Sequence, residues 1–397
     1  MPARKVALFG GGPACLMAAY QLSEKHEVHI FEKGKRLGRK FLVAGNGGFN
    51  LTNELKGAAL AEVYSNHSKL HKALSQFSTA DTREWLSKIG VETFIGSSGR
   101  VFPEKGIKPT DVLKNILEAL ESRGVQIHIN QEFIGFNNAV KPIVRSKEIE
   151  AIIEADHYIF GFGGGSWSKT GSNNSWLAPF NDIAVKTLPF RASNCGVNVD
   201  WDIDFQEKHA GTPLKNIAIN CYDEILKGEV ILTKYGLEGN AIYPLVPVIR
   251  KMLAKQARAE VTIDFKPNSS IEMLQAKITK AIKPKNYAFT FNISKAVQEI
   301  AKGALDKEQY LNPQNFAESL KNVPLSITGL RPIEEAISTV GGIMMDEVDE
   351  QFSLVKHSHI SIIGEMLDWD APTGGFLLQG CFSTGYVVGQ SLNEKLN

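Results

Sequence analysis

The sequence of 397 residues predicts an α/β fold around a parallel sheet, into which a β-rich part and a small helical part are inserted. Two patterns lead to this fold class. Near the start, an apolar run ends at three glycines, and a stretch with one apolar helical face and a second apolar run follow. This is the parallel βαβ pattern of about thirty residues. From about residue 190 onwards, short alternating segments indicate antiparallel strands instead.

The same helical and strand periodicities predict the other elements, and a glycine-rich loop is predicted at 34–53. Strands are predicted at 5–9, 28–32, 125–129, 133–136, 157–162, 197–199, 217–221, 230–233, 261–265, 326–328, 335–339 and 359–363. Helices are predicted at 13–25, 79–89, 109–123, 270–282, 293–302, 313–322 and 376–396. These strands and helices predict three parts: a nucleotide-binding domain (1–190 and 340–397), a β-rich domain (191–267 and 323–339) and a helical insert (268–322).

Composition excludes several classes of protein. The chain is 43% hydrophobic and 22% charged, which is typical of a folded globular protein and not of a disordered one. Its 44 basic and 43 acidic side chains give a net charge of +1, so we expect no nucleic-acid partner and no membrane partner. The start shows no signal peptide, and the four cysteines are dispersed without a C-x-x-C pair, so we expect a cytoplasmic protein. No set of side chains has metal-ligand spacing.

The first glycine segment, GGGPAC, is close to the dinucleotide-binding pattern G-x-G-x-x-G, with Gly10, Gly12 and Cys15 at its three positions. The first glycine permits the tight turn, and the second lets a pyrophosphate approach the N-terminus of the helix. Cys15 stands where a third glycine normally keeps strand and helix close. Glu32 follows twenty residues after Gly12, where a carboxylate can accept from a ribose 2′-hydroxyl and repels a 2′-phosphate. The site therefore suits the adenosine of FAD or NAD, and not of NADP.

The end of the chain favours FAD over NAD. A predicted strand delivers Gly364 and Glu365, and Gly374 and Gly375 then open the closing helix. A carboxylate beside the nucleotide could bind the hydroxyls of a ribityl chain, and the positive end of a helix would stabilise the negative charge of a reduced flavin. An NAD-dependent dehydrogenase stays open as a weaker alternative, since it leaves the second glycine pair without a role.

A resemblance to a known family covers nearly the whole chain. It rests on segments in colinear order: VALFGGGPACLMAAY, GRKFLVAGNGGFNLTN, GRVFPEKGIKPTDVL, GGGSWSKTGSN, GLEGNAIYPL and GEMLDWDAPTGGFLLQGCFSTGYVVG. Together they resemble the BaiN/YhiN-type bacterial flavoproteins, FAD-dependent oxidoreductases also described as aminoacetone-oxidase-like. The resemblance implies a Rossmann-like two-dinucleotide-binding-domain flavoprotein fold, in which the FAD domain combines the N-terminal part with the C-terminal tail.

The resemblance also implies which residues contact FAD. They fall at the pyrophosphate, the adenosine and the ribityl–flavin end: Gly10, Gly12, Pro13, Ala14, Glu32, Lys33, Arg39, Lys40, Phe133, Gly161, Gly163, Gly364, Glu365, Gly374, Gly375 and Phe376. Many relatives carry an Arg-Cys pair in the loop AGNGGFN, where this chain has Gly48 and Phe49. The chain is thus similar to a subgroup without that pair, and no thiol of this loop takes part in catalysis.

Candidate catalytic residues are few, because a flavin itself carries the hydride chemistry. Asn46 and Asn50 lie in a loop that passes close to the flavin in the family. Arg100 belongs to a basic cluster with Lys105 and Lys108 that could recognise an anionic substrate, although charge patterning alone favours a solvated loop. The sequence shows no nucleophile elbow, P-loop or H-E-x-x-H motif.

We therefore expect an FAD-dependent oxidoreductase of small molecules that transfers hydride at flavin N5, with NAD(P)H or oxygen as the second substrate. An RNA-modifying flavoprotein and a flavin-binding protein without enzymatic activity are the alternatives.

Overall fold

The computed structural model describes residues 3–43, 48–65, 67–171, 174–278 and 282–396. The chain divides into two compact units. The first, here called the discontinuous unit, consists of Met1–Ala192 and Ile337–Asn397, and the inserted unit is Ser193–Ala336. The predicted domain boundaries, and the helical insert as a separate domain, stay predictions.

The strands and helices of the described residues are as follows. The strands are β1 Lys5–Phe9, β2 Glu27–Glu32, β3 Thr52–Asn53, β4 Thr93–Ile95, β5 Arg100–Pro103, β6 Gln126–Ile129, β7 Glu132–Phe136, β8 Pro142–Ser146, β9 Ile149–Ile152, β10 His157–Phe160, β11 Thr187–Ser193, β12 Val197–Val199, β13 Pro213–Cys221, β14 Glu224–Leu232, β15 Gly236–Glu238, β16 Ala259–Asp264, β17 Val323–Leu330, β18 Ser338–Ile343 and β19 Ile360–Ile362. The helices are α1 Pro13–Leu22, α2 Arg39–Val43, α3 Gly57–Glu62, α4 Ser68–Gln76, α5 Thr79–Lys88, α6 Pro109–Glu121, α7 Leu177–Asp182, α8 Ile203–His209, α9 Val246–Leu253, α10 Ile271–Gln275, α11 Tyr287–Thr290, α12 Lys295–Gly303, α13 Lys307–Leu311, α14 Pro313–Ser319 and α15 Phe376–Lys395.

A five-stranded parallel sheet organises the discontinuous unit, with the order β19-β10-β1-β2-β6. Strands β1, β2, β10 and β19 are mostly buried because both of their faces are covered, whereas the edge strand β6 is mostly exposed. On one face, Phe9 stacks between Phe31 and Phe160 at ring distances of 5.3 and 4.7 Å. Three smaller sheets complete the unit: β3-β5-β4, β7-β8-β9 and the pair β11-β18.

Helix α15 returns the end of the chain to its start. It packs on α1 through glycines, since a Cβ at Gly385 would lie 2.3 Å from the Ala14 carbonyl oxygen and one at Gly389 would lie 2.5 Å from Gln21 Cβ. Only residues without a side chain allow two helix backbones to approach this closely. The first and last segments of the sequence therefore form one layer over the sheet.

The inserted unit contains a closed barrel with the strand order β12-β15-β14-β13-β16-β17 and the helices α8 to α14. In its helical part Tyr287 stacks on Phe316 at 4.3 Å and Phe291 packs beside them, and these rings belong to the same hydrophobic core as the barrel strands.

The α/β fold class is confirmed, but several local expectations differ from the structure. The segment 34–53, expected to be a loop, contains α2 and β3, and among the described residues of the helix predicted at 270–282 only α10 is helical. The antiparallel strands of the inserted unit close into a barrel. No helix within the described ranges has the length and apolar character that crossing a bilayer requires.

Candidate functional site

A cleft that is partly open to solvent lies where the strands of the parallel sheet end. Parallel α/β sheets bind ligands at this edge, beyond the carboxyl ends of the strands. Of the predicted cofactor residues, these line the cleft: Gly10, Gly12, Pro13, Ala14, Glu32, Lys33, Arg39, Lys40, Phe133, Gly161, Gly163, Gly364 and Glu365.

The floor of the cleft is a close contact between two turns. Gly10 has a φ of +108°, and a Cβ there would lie 2.6 Å from the Gly161 carbonyl oxygen. A Cβ at Gly161 would in turn lie 2.6 Å from the sulfur of Cys15. Glycine at position 161 thus provides the room that glycine would otherwise provide at position 15. Gly161, in the second glycine turn, therefore compensates for the cysteine at the third position of the first glycine motif.

The N-terminus of α1 points its backbone N–H groups into this space. Gly12 is the residue that precedes the helix, and no side chain caps it. Its φ of −86° is open to any residue, and a Cβ there would meet nothing closer than the Gly161 carbonyl oxygen at 3.8 Å. The space in front of the helix is therefore free for a group that accepts hydrogen bonds, such as a phosphate.

Glu32 is held by two backbone donors. Its Oε2 accepts from the N–H of Gly11, and its Oε1 accepts from the N–H of Gly34, both at 2.7 Å. These bonds fix the carboxylate at the end of β2, and a carboxylate can accept further hydrogen bonds through its remaining lone pairs.

A second carboxylate lies across the cleft. Glu365 Oε2 is 3.0 Å from Lys40 Nζ, which also donates to the Ser166 hydroxyl at 2.9 Å. The other oxygen of this side chain, Oε1, is buried and has no hydrogen-bond partner among the described residues. A buried carboxylate oxygen without a donor costs free energy, so this site is suited to a ligand that supplies hydroxyl groups.

Burial shifts the pKa of two other ionisable groups at the cleft. Burial and the charge of Glu365 raise the pKa of the Cys381 thiol to about 12, so this thiol is uncharged at neutral pH. Burial also lowers the pKa of Lys33. Within the described parts of the chain, no cluster of side chains has the composition of a metal site.

Three further predicted residues, Gly374, Gly375 and Arg100, lie together at the start of α15. Gly375 has a φ of +94°, and a Cβ there would lie 2.2 Å from the carbonyl oxygen of Thr52. Asn53 Nδ2 donates to the Gly374 carbonyl oxygen at 3.2 Å, and Arg100 Nε would be 3.6 Å from a Cβ at Gly374. Strand β3 therefore lies directly over the glycine turn, and Arg100 reaches the same turn from β5.

Gly374, Gly375 and Phe376 do not line the cleft itself; α15 links this group to it through Cys381. The backbone N–H of Asn50 donates to the Gly48 carbonyl oxygen at 2.9 Å. Asn46 lies outside the described residues.

A buried hydrogen-bond network fixes the position of β3 on α15. Gln379 Oε1 accepts from the hydroxyls of Thr52 and Thr82 at 2.6 and 2.8 Å. Its Nε2 donates to the Phe77 carbonyl oxygen at 2.9 Å and to the Ser383 hydroxyl at 3.1 Å. Sequence reasoning missed this network, as it missed Ser166 and Cys381. These are ordinary polar residues whose partners are distant in sequence, and no local signal distinguishes them.

Comparisons with known proteins show the family and the fold. The family model of the HI0933-like protein Rossmann domain matches residues 4–391. A 3-dehydro-bile acid delta(4,6)-reductase from Clostridium scindens is 24% identical over 98% of this chain and 99% of its own length. A ribosomal RNA dihydrouridine synthase from Haemophilus influenzae is 21% identical over 98% of both chains.

Among solved structures, a 3-ketosteroid delta1-dehydrogenase from Sterolibacterium denitrificans shares the fold with a TM-score of 0.54, 12% identity and full coverage (100%) of both chains. The chain belongs to the HI0933-like family, which confirms the predicted family of FAD-dependent oxidoreductases and the predicted flavoprotein fold.

Proposed function

We propose that this protein is an FAD-dependent reductase that adds two hydrogens across a carbon–carbon double bond conjugated to a carbonyl group. The observation that carries the proposal is the cleft, with its uncapped helix N-terminus and the unpaired oxygen of Glu365. Its relatives supply the reaction class, because a ring double bond is reduced in both named activities, one on a 3-keto bile acid and one on uridine.

The residues that line the cleft fit FAD. The N–H groups that follow Gly12 would bind the pyrophosphate, and Glu32 would accept from the adenosine ribose. Oε1 of Glu365 would accept from the ribityl hydroxyls, which satisfies its missing hydrogen bond. The backbone of Phe133 would hold the adenine, since the ring of this residue packs on Phe9 and Phe160 in the core. When bound, the flavin supplies the hydride at its N5 atom.

Arg100 is the candidate for substrate activation. Its guanidinium lies half-buried beside the turn at Gly374, where the positive end of α15 is also directed. Addition of hydride to the β-carbon of a conjugated carbonyl places negative charge on the carbonyl oxygen, and a proton then completes the α-carbon. A fixed cation at that oxygen lowers the barrier. Phe102 and Phe94 stack at 5.7 Å beside this region and provide an apolar wall for a flat ring.

The proposed substrate is a small molecule, and the proposed electron donor is NAD(P)H. If the reaction runs in the opposite direction, as an oxidation of the substrate, oxygen is the alternative electron acceptor. The Haemophilus influenzae relative favours a second candidate, a uridine within RNA. Both candidates need the same chemistry, since the uracil ring also carries a double bond conjugated to a carbonyl. They differ in what surrounds the reacting ring.

The purified protein tests the proposal in three steps. A visible flavin spectrum and release of FAD by heat are expected first. Anaerobic addition of NADH or NADPH should then bleach the flavin band, and a conjugated cyclic ketone such as cyclohexenone should restore it. A protein that neither holds nor takes up FAD would refute the proposal, and so would a reduced flavin that no conjugated carbonyl compound reoxidises.

Replacement of Arg100 by Ala tests its role. We expect unchanged flavin content and a loss of kcat/KM of about 100-fold, similar to the loss of one donor to a developing oxyanion. Lys105→Ala, an exposed lysine of the same basic cluster, is the matched control and should retain activity.

A further inference from the structure

The inserted unit carries a stretch of chain with an uneven charge. From Lys277 to Gln298 the sequence has five lysines, at positions 277, 280, 283, 285 and 295, and no carboxylate. The chain as a whole is almost neutral, with a net charge of +1. A local positive field therefore exists that the average over the chain conceals.

Three lysines of this stretch, together with Lys302 just beyond it, lie around one hydrogen bond. Gln298 Nε2 donates to the Pro284 carbonyl oxygen at 2.9 Å, and Lys283 and Lys285 flank that proline. Lys295 and Lys302 lie three residues before and four residues after Gln298 in α12, which places them on the same side of the helix. Lys283, Lys285, Lys295 and Lys302 are all exposed, and we call this set the lysine face.

The nearby carboxylates form no ion pair with these lysines. Glu299 Oε2 lies 3.2 Å from His209 Nε2 without the geometry of a hydrogen bond, and Asp306 caps α13 by accepting from the Gln309 N–H at 2.8 Å. Among the described residues, no carboxylate forms an ion pair with the lysine face; Lys302 instead lies 5.6 Å from the ring of Tyr310. These amines are thus available to an anion from solution.

An exposed aromatic ring accompanies the lysines. Phe289 is 92% exposed, whereas Tyr287 and Phe291 on either side of it are fully buried at 0%. Phe289 therefore plays no part in the core that its neighbours form. It follows Lys285 by four residues in the continuous helical segment 284–290, so the two side chains project from the same side.

We propose that the lysine face and Phe289 form an RNA-docking surface, on which the lysines contact phosphates and a base stacks on the phenyl ring. Exposed aromatic rings set among lysines are typical of surfaces that bind single-stranded nucleic acid. A membrane surface fits less well, because the apolar side of α12 is buried in the core of its own unit. The inference rests on the proposed function in its second form, where the reduced ring belongs to RNA.

Fluorescence polarisation with the flavin-loaded protein tests the surface. The probe is a labelled single-stranded RNA of mixed sequence and about 20 nucleotides, longer than the sites that such proteins usually cover. We expect the triple variant K283E/K285E/K295E to bind at least about tenfold more weakly, with a shallower dependence of affinity on salt. Phe289→Ala should weaken binding roughly five- to 100-fold while the salt dependence is unchanged, since it removes stacking and no charge.

The control variant K25E/K147E/K234E changes the same number of exposed lysines that do not belong to the lysine face and should bind as the unmodified protein does. An equal loss in the control, or binding of phosphatidylserine vesicles without binding of RNA, would overturn the docking surface. A flavin-loaded protein that reduces cyclohexenone but binds no RNA would also overturn it and leave the proposed function intact. Failure to hold FAD would count against the proposed function instead.

Discussion

Replacement of Gly12 by Asp separates the binding of the cofactor from the stability of the fold. The backbone at Gly12 has a φ of −86°, and the nearest atom to a Cβ there is the Gly161 carbonyl oxygen at 3.8 Å. An Asp side chain is therefore accepted without strain or overlap in the protein that lacks FAD. The unfolding temperature of that apoprotein should stay within about 2 °C of the unmodified apoprotein.

The same substitution places a carboxylate where we propose the pyrophosphate. At about 4 Å and an effective dielectric constant of about 20, one pair of like charges repels by about 4 kcal/mol. A repulsion of about 4 kcal/mol weakens binding roughly 1000-fold. Steric exclusion adds to this value, so the calculated loss is a lower bound.

Fluorescence titration of the apoprotein with FAD measures the loss directly. Gly12→Ala serves as the control for size without charge and should weaken FAD binding far less. Gly10→Ala is the opposite case, because its Cβ would lie 2.6 Å from the Gly161 carbonyl oxygen at a φ of +108°; we expect that variant to unfold more easily. If Gly12→Asp binds FAD as tightly as the unmodified protein, the pyrophosphate does not lie at this helix.

Three further substitutions test other parts of the molecule. Glu365→Gln keeps the size of the side chain but removes its charge beside Lys40, so FAD affinity in a calorimetric titration should fall by about 2 kcal/mol; an unchanged affinity would remove Glu365 from the site. Burial lowers the pKa of His157 to about 3, well below that of the unfolded chain, so the unfolding free energy should fall as pH drops from about 6.5 towards 3. His157→Asn should flatten that decrease in urea titrations, and an equally steep decrease would assign it to other groups. Gln379→Leu leaves two buried threonine hydroxyls without their acceptor, and thermal unfolding should show a loss of roughly 2–4 kcal/mol, where a loss near zero would contradict the network.

The local parts of the fold could be predicted from the sequence. The βαβ unit at the start is encoded by residues that are close together in the chain, so strand, glycine turn and helix are read from one short segment. Pro13 in the first turn of α1 and Glu32 at the end of β2 are positioned by the same local pattern.

Long-range pairs could not be predicted in this way. Lys40 and Glu365 are separated by 325 residues, and only the return of the chain to the sheet places them 3.0 Å apart. The relation between Cys15 and Gly161 has the same origin, since the size of one side chain matters only once the partner is known. Closure of the barrel depends on strand register, which alternating polarity does not specify.

The expectation of no nucleic-acid partner was based on net charge. Net charge is a sum over the whole chain, and it is insensitive to the way five lysines cluster in a segment without carboxylates.

The packing of α15 on α1 has a consequence for synthesis on the ribosome. The cleft needs residues near both ends of the chain, from Gly10 to Cys381, so a nascent polypeptide cannot assemble it until almost all of the sequence has been translated. The inserted unit, in contrast, has its whole core within a continuous segment and is complete earlier. Since a ligand stabilises only the state that binds it, FAD would protect finished chains and leave prematurely terminated ones exposed to proteases. Cofactor supply would thereby act as a check on the completeness of each newly made copy.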